Sequence, residues 1–410
     1  MEVAGVAVAF GSIMYLITKR VSMGLALLIG TGIAGLLTGI GLQKFVAAVV
    51  HGIFSTMTIE LVIAVALISG LGKLMRENGD LKLTIDSLVA VFRSPKVLSI
   101  MLPALIGTIN VPGGAIMSAP MVEENGKVLG FDATTKAAVN LFSRHIGYFV
   151  YPLYASTIIL SELLGVEKLA LIRHNAITML VGFIIAYPLF FRGVDHHEIA
   201  RKNSNSAICN MKNFLLGFSP IIVALGLVLA FQLPFYVAIA IGVVLALGRG
   251  LSADSRGNAL RFRMRTMFIE WIDYKLVLVM VGLMAFKAVL EASGVIDVFA
   301  ATLFAYGVPL PMMVVVLGLL AGYLTGSHTA AAGILAALFV PLFPDAHAAP
   351  YTSLLFTAIM AGYLTSPIHL CFILTNQYFG AKYGPVSRRL FLPVLAMLLI
   401  AVVQLLVTIR

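Results

Sequence analysis

Charge is scarce in this chain, and acidic charge scarcest. Of 410 residues, 11% are Asp, Glu, Lys or Arg, against 60% that are hydrophobic. That balance, with a mean hydropathy of +1.02, excludes a soluble globular protein. No Asp or Glu falls in the middle of an apolar run; Glu60, Glu162 and Glu291 stand near run ends. Cysteine is nearly absent. Cys209 and Cys371 are too few for a disulfide framework or a Cys-rich metal site, so no metal is expected. Catalytic signatures are missing too: there is no His-Glu-x-x-His, no Gly-x-Ser-x-Gly and no Gly-x-x-x-x-Gly-Lys, so no enzyme and no cofactor are expected. His196-His197-Glu198 lacks a third spaced ligand and reads as a solvated turn. The first apolar run, Val3 to Ile17, has no basic region before it and no small-residue cleavage site after it, and reads as a retained span. The net charge of +10 does not argue for nucleic acid, because in a membrane chain the placement of charge outweighs its sum.

What is present is a repeat. Residues 60–157 are echoed without a gap 215 positions later: Gly79 recurs as Gly294, Gly107 as Gly322, Gly147 as Gly362, Tyr148 as Tyr363 and Pro152 as Pro367. Duplicated helix-breakers inside apolar runs mark a secondary transporter made of two repeats.

The expected fold is all-α and polytopic. Residues 1–191 form a first repeat of five spans, near 3–18, 21–42, 58–75, 133–160 and 170–191, plus a re-entrant hairpin over 97–122. Residues 192–213 form a polar cytoplasmic linker. Residues 214–410 form the second repeat, with spans near 214–231, 234–250, 276–292, 351–375 and 390–409 and a hairpin over 309–343. With both termini outside, 22 of the 28 basic residues fall in inside loops and 4 in outside loops or ends; Arg144 and Lys287 stand within spans. That bias follows the positive-inside rule. Five spans per half make the second copy insert upside down, giving inverted repeats. The segment from Arg76 to Lys96 is basic while its partner, Glu291 to Gly307, has no Lys or Arg, as expected of matched loops on opposite sides. Residues 81–93 and 296–306 read as interfacial arms, and 258–275 as a basic, aromatic-bearing stretch on the anionic inner leaflet.

Four polar breaks carry the candidate chemistry. The hairpin breaks run from Gly107 through Thr108, Asn110, Pro112, Gly113 and Gly114, and from Gly322 through Thr325, Gly326, Ser327, His328 and Thr329. Unwound backbone at membrane depth is tolerated where it is buried in protein or lines a wet cavity. It frees carbonyls for a cation and helix-start N–H groups for an anion. The span breaks run from Ser143-Arg144-His145 to Pro152, and from Gly362 through Thr365, Ser366 and Pro367 to His369. Proline removes a donor and clashes one turn back, so each span is expected to be discontinuous there. A guanidinium inside an apolar span is functional by default, facing a counter-ion or an anionic substrate. Substrate contacts are therefore assigned to Arg144, His145, Asn110, Gly113, Gly114, Ser327, His328, Thr329, Ser366 and His369. Cation coupling is assigned to Thr108, Asn110, Pro112, Thr325, Gly326 and Thr365. Sodium would use hydroxyls and carbonyls; protons would use the three histidines. Lys287 reads equally as a functional charge or as a chain reaching the surface.

The motifs Asn110-Val111-Pro112-Gly113-Gly114, Gly326-Ser327-His328-Thr329 and Ser366-Pro367-Ile368-His369 resemble those of the ion transporter superfamily, which includes gluconate, citrate, C4-dicarboxylate and arsenite permeases. The nearest resemblance is to its uncharacterised prokaryotic integral-membrane family. By that resemblance, Thr108, Asn110, Thr325, Ser327 and Thr329 stand at hairpin tips. It also implies a homodimer whose hairpins and broken spans move, elevator-like, against a scaffold formed by the first two spans of each half. The expected activity is secondary transport of a small organic anion, a carboxylate or sugar acid, coupled to H+ or Na+ across a prokaryotic plasma membrane. An anion channel or an inorganic oxyanion permease is the alternative.

Overall fold

The structure, a computed structural model, describes residues 2–19, 21–92, 94–108, 114–194, 207–231, 233–249, 265–295, 298 and 307–409. The fold is all-α, and no strand occurs among these residues. In chain order the helices are α1 (Glu2–Thr18), α2 (Met23–Leu37), α3 (Leu42–Phe54), α4 (Thr56–Glu77), α5 (Asp80–Val91), α6 (Pro95–Gly107), α7 (Gly114–Val128), α8 (Ala133–Ile146) and α9 (Ala155–Leu163). There follow α10 (Lys168–Phe191), α11 (Ala207–Phe231), α12 (Phe235–Arg249), α13 (Tyr274–Ser293), α14 (Leu310–Thr325), α15 (His328–Phe339), α16 (Ala348–Thr365), α17 (Leu370–Phe379) and α18 (Tyr383–Thr408). Among the described residues, five stretches are long and apolar enough to cross a bilayer: Thr56–Glu77, Lys168–Phe191, Cys209–Val228, Asp345–Phe379 and Tyr383–Thr408.

Over the second expected hairpin the chain forms a helix–break–helix unit, α14 with α15; over the first, α6 and α7 flank residues 109–113, which lie outside the described residues; both expected broken spans are interrupted. The first is α8, a 3-10 turn over Gly147–Phe149, then α9; the second is α16, a break at 366–369, then α17. Proline alone does not make these breaks. Pro103, Pro120, Pro188, Pro220 and Pro393 all lie inside continuous helices. At Pro367 the freed backbone is recovered locally: the Ser366 hydroxyl donates to the Tyr323 carbonyl at 2.6 Å and accepts from Ile368 N at 3.4 Å. Helix α3 has no counterpart among the expected spans. Its Gln43, Lys44 and His51 mask an amphipathic helix whose small face, Ala48 and Gly52, packs on α13, where a Cβ on Gly52 would stand 2.6 Å from the Met284 carbonyl.

The chain divides into two compact units. The larger comprises Met1–Ser55, Ser99–Asp195 and Val281–Arg410, the smaller Thr56–Leu98 and His196–Met280. Each unit draws on both sequence halves. In the smaller unit α5 lies along α11, where Gly217 seats against Asp80 and Thr84, and Arg249 reaches the Asp80 carboxylate at 3.6 Å. The larger unit holds α7, α14 and α15, α6 from Ser99 onward, and both broken spans. At its centre α14 and α16 meet backbone to backbone: a Cβ on Gly322 would stand 2.1 Å from the Ile359 carbonyl, and one on Gly362 would stand 2.1 Å from the Leu319 carbonyl. Small residues one turn apart, Gly318 with Gly322 and Ala358 with Gly362, permit that approach. The expected arm over 296–306, most of the linker and the first part of the basic stretch lie outside the described residues.

Helix α8, which carries Arg144, is fixed at its start by Asp132, whose carboxylate accepts from Thr135 N at 2.7 Å and from the Thr135 hydroxyl. Burial alone would push this carboxyl up, but the Thr135 hydrogen bonds and the Arg389 charge outweigh it and hold it below the usual aspartate value. A lowered carboxyl stabilises the fold above the ordinary aspartate range, and that contribution is lost as pH falls through the folded-state value. Asp132→Ala should therefore cost about 1 kcal/mol at neutral pH. Thermal unfolding in detergent checks this, and the gap from wild type should close at strongly acidic pH.

Candidate functional site

The last turn of α8 delivers Arg144 and His145 into the interior of the larger unit. Arg144 is 2% exposed and His145 fully buried; His328, from the start of α15, and His369, which precedes α17, are 7% and 1% exposed. Sequence places these histidines in three separate segments, and the fold gathers them. The rings of His145 and His369 have centroids 4.9 Å apart, and Tyr363 packs on His369 at 3.8 Å, on His328 at 4.9 Å and on His145 at 5.4 Å. Tyr148 and Tyr154, stacked at 3.8 Å, close the other side against His145 and His328.

The hydrogen bonds fix one tautomer. His145 Nδ1 lies 2.6 Å from the Leu141 carbonyl, which can only accept, so Nδ1 carries the proton and Nε2 presents a lone pair. The Tyr363 hydroxyl lies 3.3 Å from that Nε2. His328 Nδ1 meets the Ser156 hydroxyl at 3.0 Å and that of Thr329 at 3.4 Å. Neither ring nitrogen of His369 has a hydrogen-bond partner.

Arg144 Nε and Nη1 are likewise buried without a partner, and among the described residues no carboxylate forms an ion pair with this guanidinium. The groups that face it electrostatically are Tyr148, Cys371, Tyr154 and Tyr363. A polar group buried without a partner is costly, and a charge more so. The negative end of the α8 dipole offsets part of that cost. Gly107, the last residue of α6, lets the first hairpin seat directly on this turn: a Cβ there would stand 2.2 Å from the Arg144 carbonyl. In the second repeat Gly322 plays the same part against Ile359, and both members of this pair lie 215 residues after their counterparts.

The expected cation-coupling hydroxyls each donate to a backbone carbonyl of the helix they end. Thr108 donates to the Leu105 carbonyl at 2.6 Å, Thr325 to Ala321 at 2.7 Å and to the Ser327 carbonyl at 3.0 Å, and Thr365 to Ala361 at 2.8 Å. Ser327 caps α15 by accepting from Ala330 N at 3.2 Å. Gly326 adopts the left-handed region, φ +57°, where its hydrogen faces Ile368 across the second break. These hydroxyls thus tie the backbone of the hairpin ends and breaks, and two of them also accept: Ser327 from Ala330 N and Thr325 from Ser327 N at 3.2 Å. Asn110, Pro112 and Gly113 lie outside the described residues; Gly114 opens α7. Lys287, singled out for its place in a span, forms an ion pair with Glu291 at 3.5 Å.

Sequence reasoning overlooked Tyr154, Ser156 and Cys371 as site residues, although the repeat register pointed to them. Tyr154 stands 215 residues before His369, and Ser156 stands 215 before Cys371. A buried crosslink beside the site was also hidden: Asn140 on α8 accepts from Ser118 of α7 at 2.7 Å and donates to Thr375 of α17 at 3.2 Å. A cavity of about 320 Å³ opens beside the second break, lined in part by Pro367, Phe372, Asn376 and Tyr383.

Comparison with known proteins agrees with the fold. A family model described as a protein of unknown function (DUF401) matches residues 4–408. Among solved structures, the YdaH transporter of Alcanivorax borkumensis, whose crystal structure is described as having an unusual topology, is similar with a TM-score of 0.60. The two share 15% sequence identity, over 97% of this chain and 98% of that one. No curated protein sequence matches this chain.

Proposed function

The chain belongs to the DUF401 family, and from its polytopic fold and its buried arginine we propose that it is a secondary active transporter of a small organic anion. The observation that carries the reading is Arg144: a guanidinium buried at the end of α8, with Nε and Nη1 unpartnered, beside the Tyr148, Tyr154 and Tyr363 hydroxyls and the Cys371 thiol. Such a charge is retained where a mobile anion pairs with it. The start of α17, with His369 at its N-cap position and no side-chain cap, adds a helix N-terminus, which favours the anion further. The YdaH protein, whose fold this one shares, is likewise a transporter.

In this reading the substrate is a carboxylate or sugar acid, and its transport is coupled to H+ or Na+. The two repeats are inverted and alternate access by an elevator-like motion of hairpins and broken spans. The protein works as a homodimer in a prokaryotic plasma membrane, with both termini outside and the basic stretch 258–275 on the inner leaflet. The resemblance of its break motifs to the ion transporter superfamily supports this. The duplicated seating of Gly107 and Gly322 supports the repeat itself.

The test is a thermal-shift screen of the purified chain against carboxylates, sugar acids and inorganic oxyanions, with and without sodium. Ligand at a hundred times its Kd stabilises the native state by about 2.7 kcal/mol. An organic anion should raise the melting temperature by several degrees, and the same anion should accumulate in proteoliposomes under an imposed cation gradient. Flux indifferent to proton and sodium gradients would favour a channel and overturn the proposal.

A further inference from the structure

We propose that His145, His369 and Cys371 form a site for a thiophilic divalent metal ion of the zinc class, with the fourth position left open to the anion that Arg144 binds. One ligand atom from each residue lies within 4.8 Å of the others. All three belong to the larger unit. His369 ends the second break, Cys371 stands in the first turn of α17 and His145 in the last turn of α8, so no local motif announces the set.

Three features distinguish this cluster from a chance meeting of polar groups. First, His145 is already prepared as a ligand. Its Nδ1–H is donated to the Leu141 carbonyl, the outer-shell arrangement that fixes the tautomer and leaves on Nε2 a lone pair that a metal would take in place of the Tyr363 hydroxyl, 3.3 Å away. Second, His369 is buried with both ring nitrogens unpartnered, a cost that a metal bond would remove. Third, the donor set of two imidazoles and one thiol suits zinc, which in its reactive sites takes three protein ligands and keeps a fourth position for another molecule.

The geometry needs only a small adjustment. Zinc–nitrogen bonds of about 2.0–2.1 Å and a zinc–sulfur bond of about 2.3 Å put neighbouring donors roughly 3.3–3.6 Å apart. Closing from 4.8 Å falls chiefly to the His369 ring, which no hydrogen bond restrains. Charge decides what completes the site. A divalent ion and a thiolate leave one positive charge beside the Arg144 guanidinium, so metal alone is repelled and metal with an anion is not. This last step, the anion as fourth ligand, rests on the function proposed above; the three protein ligands do not. The carried species would then be an anion together with a metal ion, and the alternating motion would expose both at once.

Cobalt(II) titration of the purified full-length chain tests this, in a Cys209→Ser background so that Cys371 is the only thiol. The expected result is saturable binding of one ion per chain, with a thiolate charge-transfer band and visible bands of tetrahedral intensity. Cys371→Ser should abolish the charge-transfer band, and His369→Ala should weaken binding at least tenfold. Arg144→Met should bind cobalt at least as tightly as the parent while losing the stabilisation by anions. Should the Cys371→Ser protein fail to fold, protection of Cys371 from maleimide by zinc in the Cys209→Ser parent gives the same reading, and unchanged labelling would overturn the proposal. Absence of binding, a weak octahedral spectrum, or a charge-transfer band that survives Cys371→Ser would each overturn it as well. Loss of anion effects with cobalt binding intact would instead overturn the anion reading and leave the metal site standing.

Discussion

Arg144→Met should make the empty protein more stable and the transporter useless. Methionine follows the path of the arginine stem without its charge, and replacing buried charged groups by apolar groups of similar volume is often neutral or stabilising, by up to about 1–4 kcal/mol for ion pairs. The melting temperature without ligand should rise. Stabilisation by the anion found in the screen should vanish, because truncating one member of a desolvated charge pair costs 2–5 kcal/mol, roughly 30-fold to several-thousand-fold in affinity. Arg144→Lys should recover part of this, as a point charge without the planar fork. The pairing of a higher melting temperature with lost ligand response is the discriminating result. A structural arginine would show the reverse, and a destabilised Arg144→Met that still binds its anion would remove Arg144 from the site.

The second large effect concerns glycines that the sequence presents as equals. Gly322→Val should collapse the contact of α14 with α16, since even a Cβ would stand 2.1 Å from the Ile359 carbonyl and 2.9 Å from Tyr363 N. Overpacking typically costs 1–3 kcal/mol. Here the atoms met are backbone, which cannot turn aside, so the loss should reach or exceed the top of that range. Gly107→Val should do the same to the first hairpin and displace the turn that carries Arg144. Gly147→Ala is the control: a Cβ there meets nothing within 4 Å, at a φ of −65° that any residue adopts. It should be neutral or stabilise by up to about 1 kcal/mol. Size-exclusion profiles and melting curves in detergent check all three. Equal behaviour of Gly147→Ala and Gly322→Val would contradict the packing described.

That control shows where reading the chain reaches its limit. Gly147 and Gly362 are matched members of one echo, and by sequence they are interchangeable. In the fold Gly362 lies against the Leu319 carbonyl and Gly147 faces open space. The echo reported that a break recurs, not which atoms press on it. Lys287 shows the same limit from the other side. Its place in an apolar run marked it as costly, but its answer is Glu291, one turn on. Helix α3 was passed over because Gln43, Lys44 and His51 interrupt the apolar run on which span detection depends.

The sequence by itself determined the class, the repeat and the breaks. Hydrophobic excess, paired helix-breakers and a lone arginine are properties of order along the chain, and membrane insertion acts on that order directly. Only the tertiary structure decided the site. His145, His328 and His369 lie more than 40 residues from one another, apart along the chain, with nothing in their spacing to join them. They meet because Gly107, Gly322 and Gly362 let helices close to backbone distance. The same closeness turned Cys371, which composition had set aside as too few for a metal, into the third member of a compact donor set. Counting residues measures supply along the chain, whereas ligation depends on distance, and distance is set by packing.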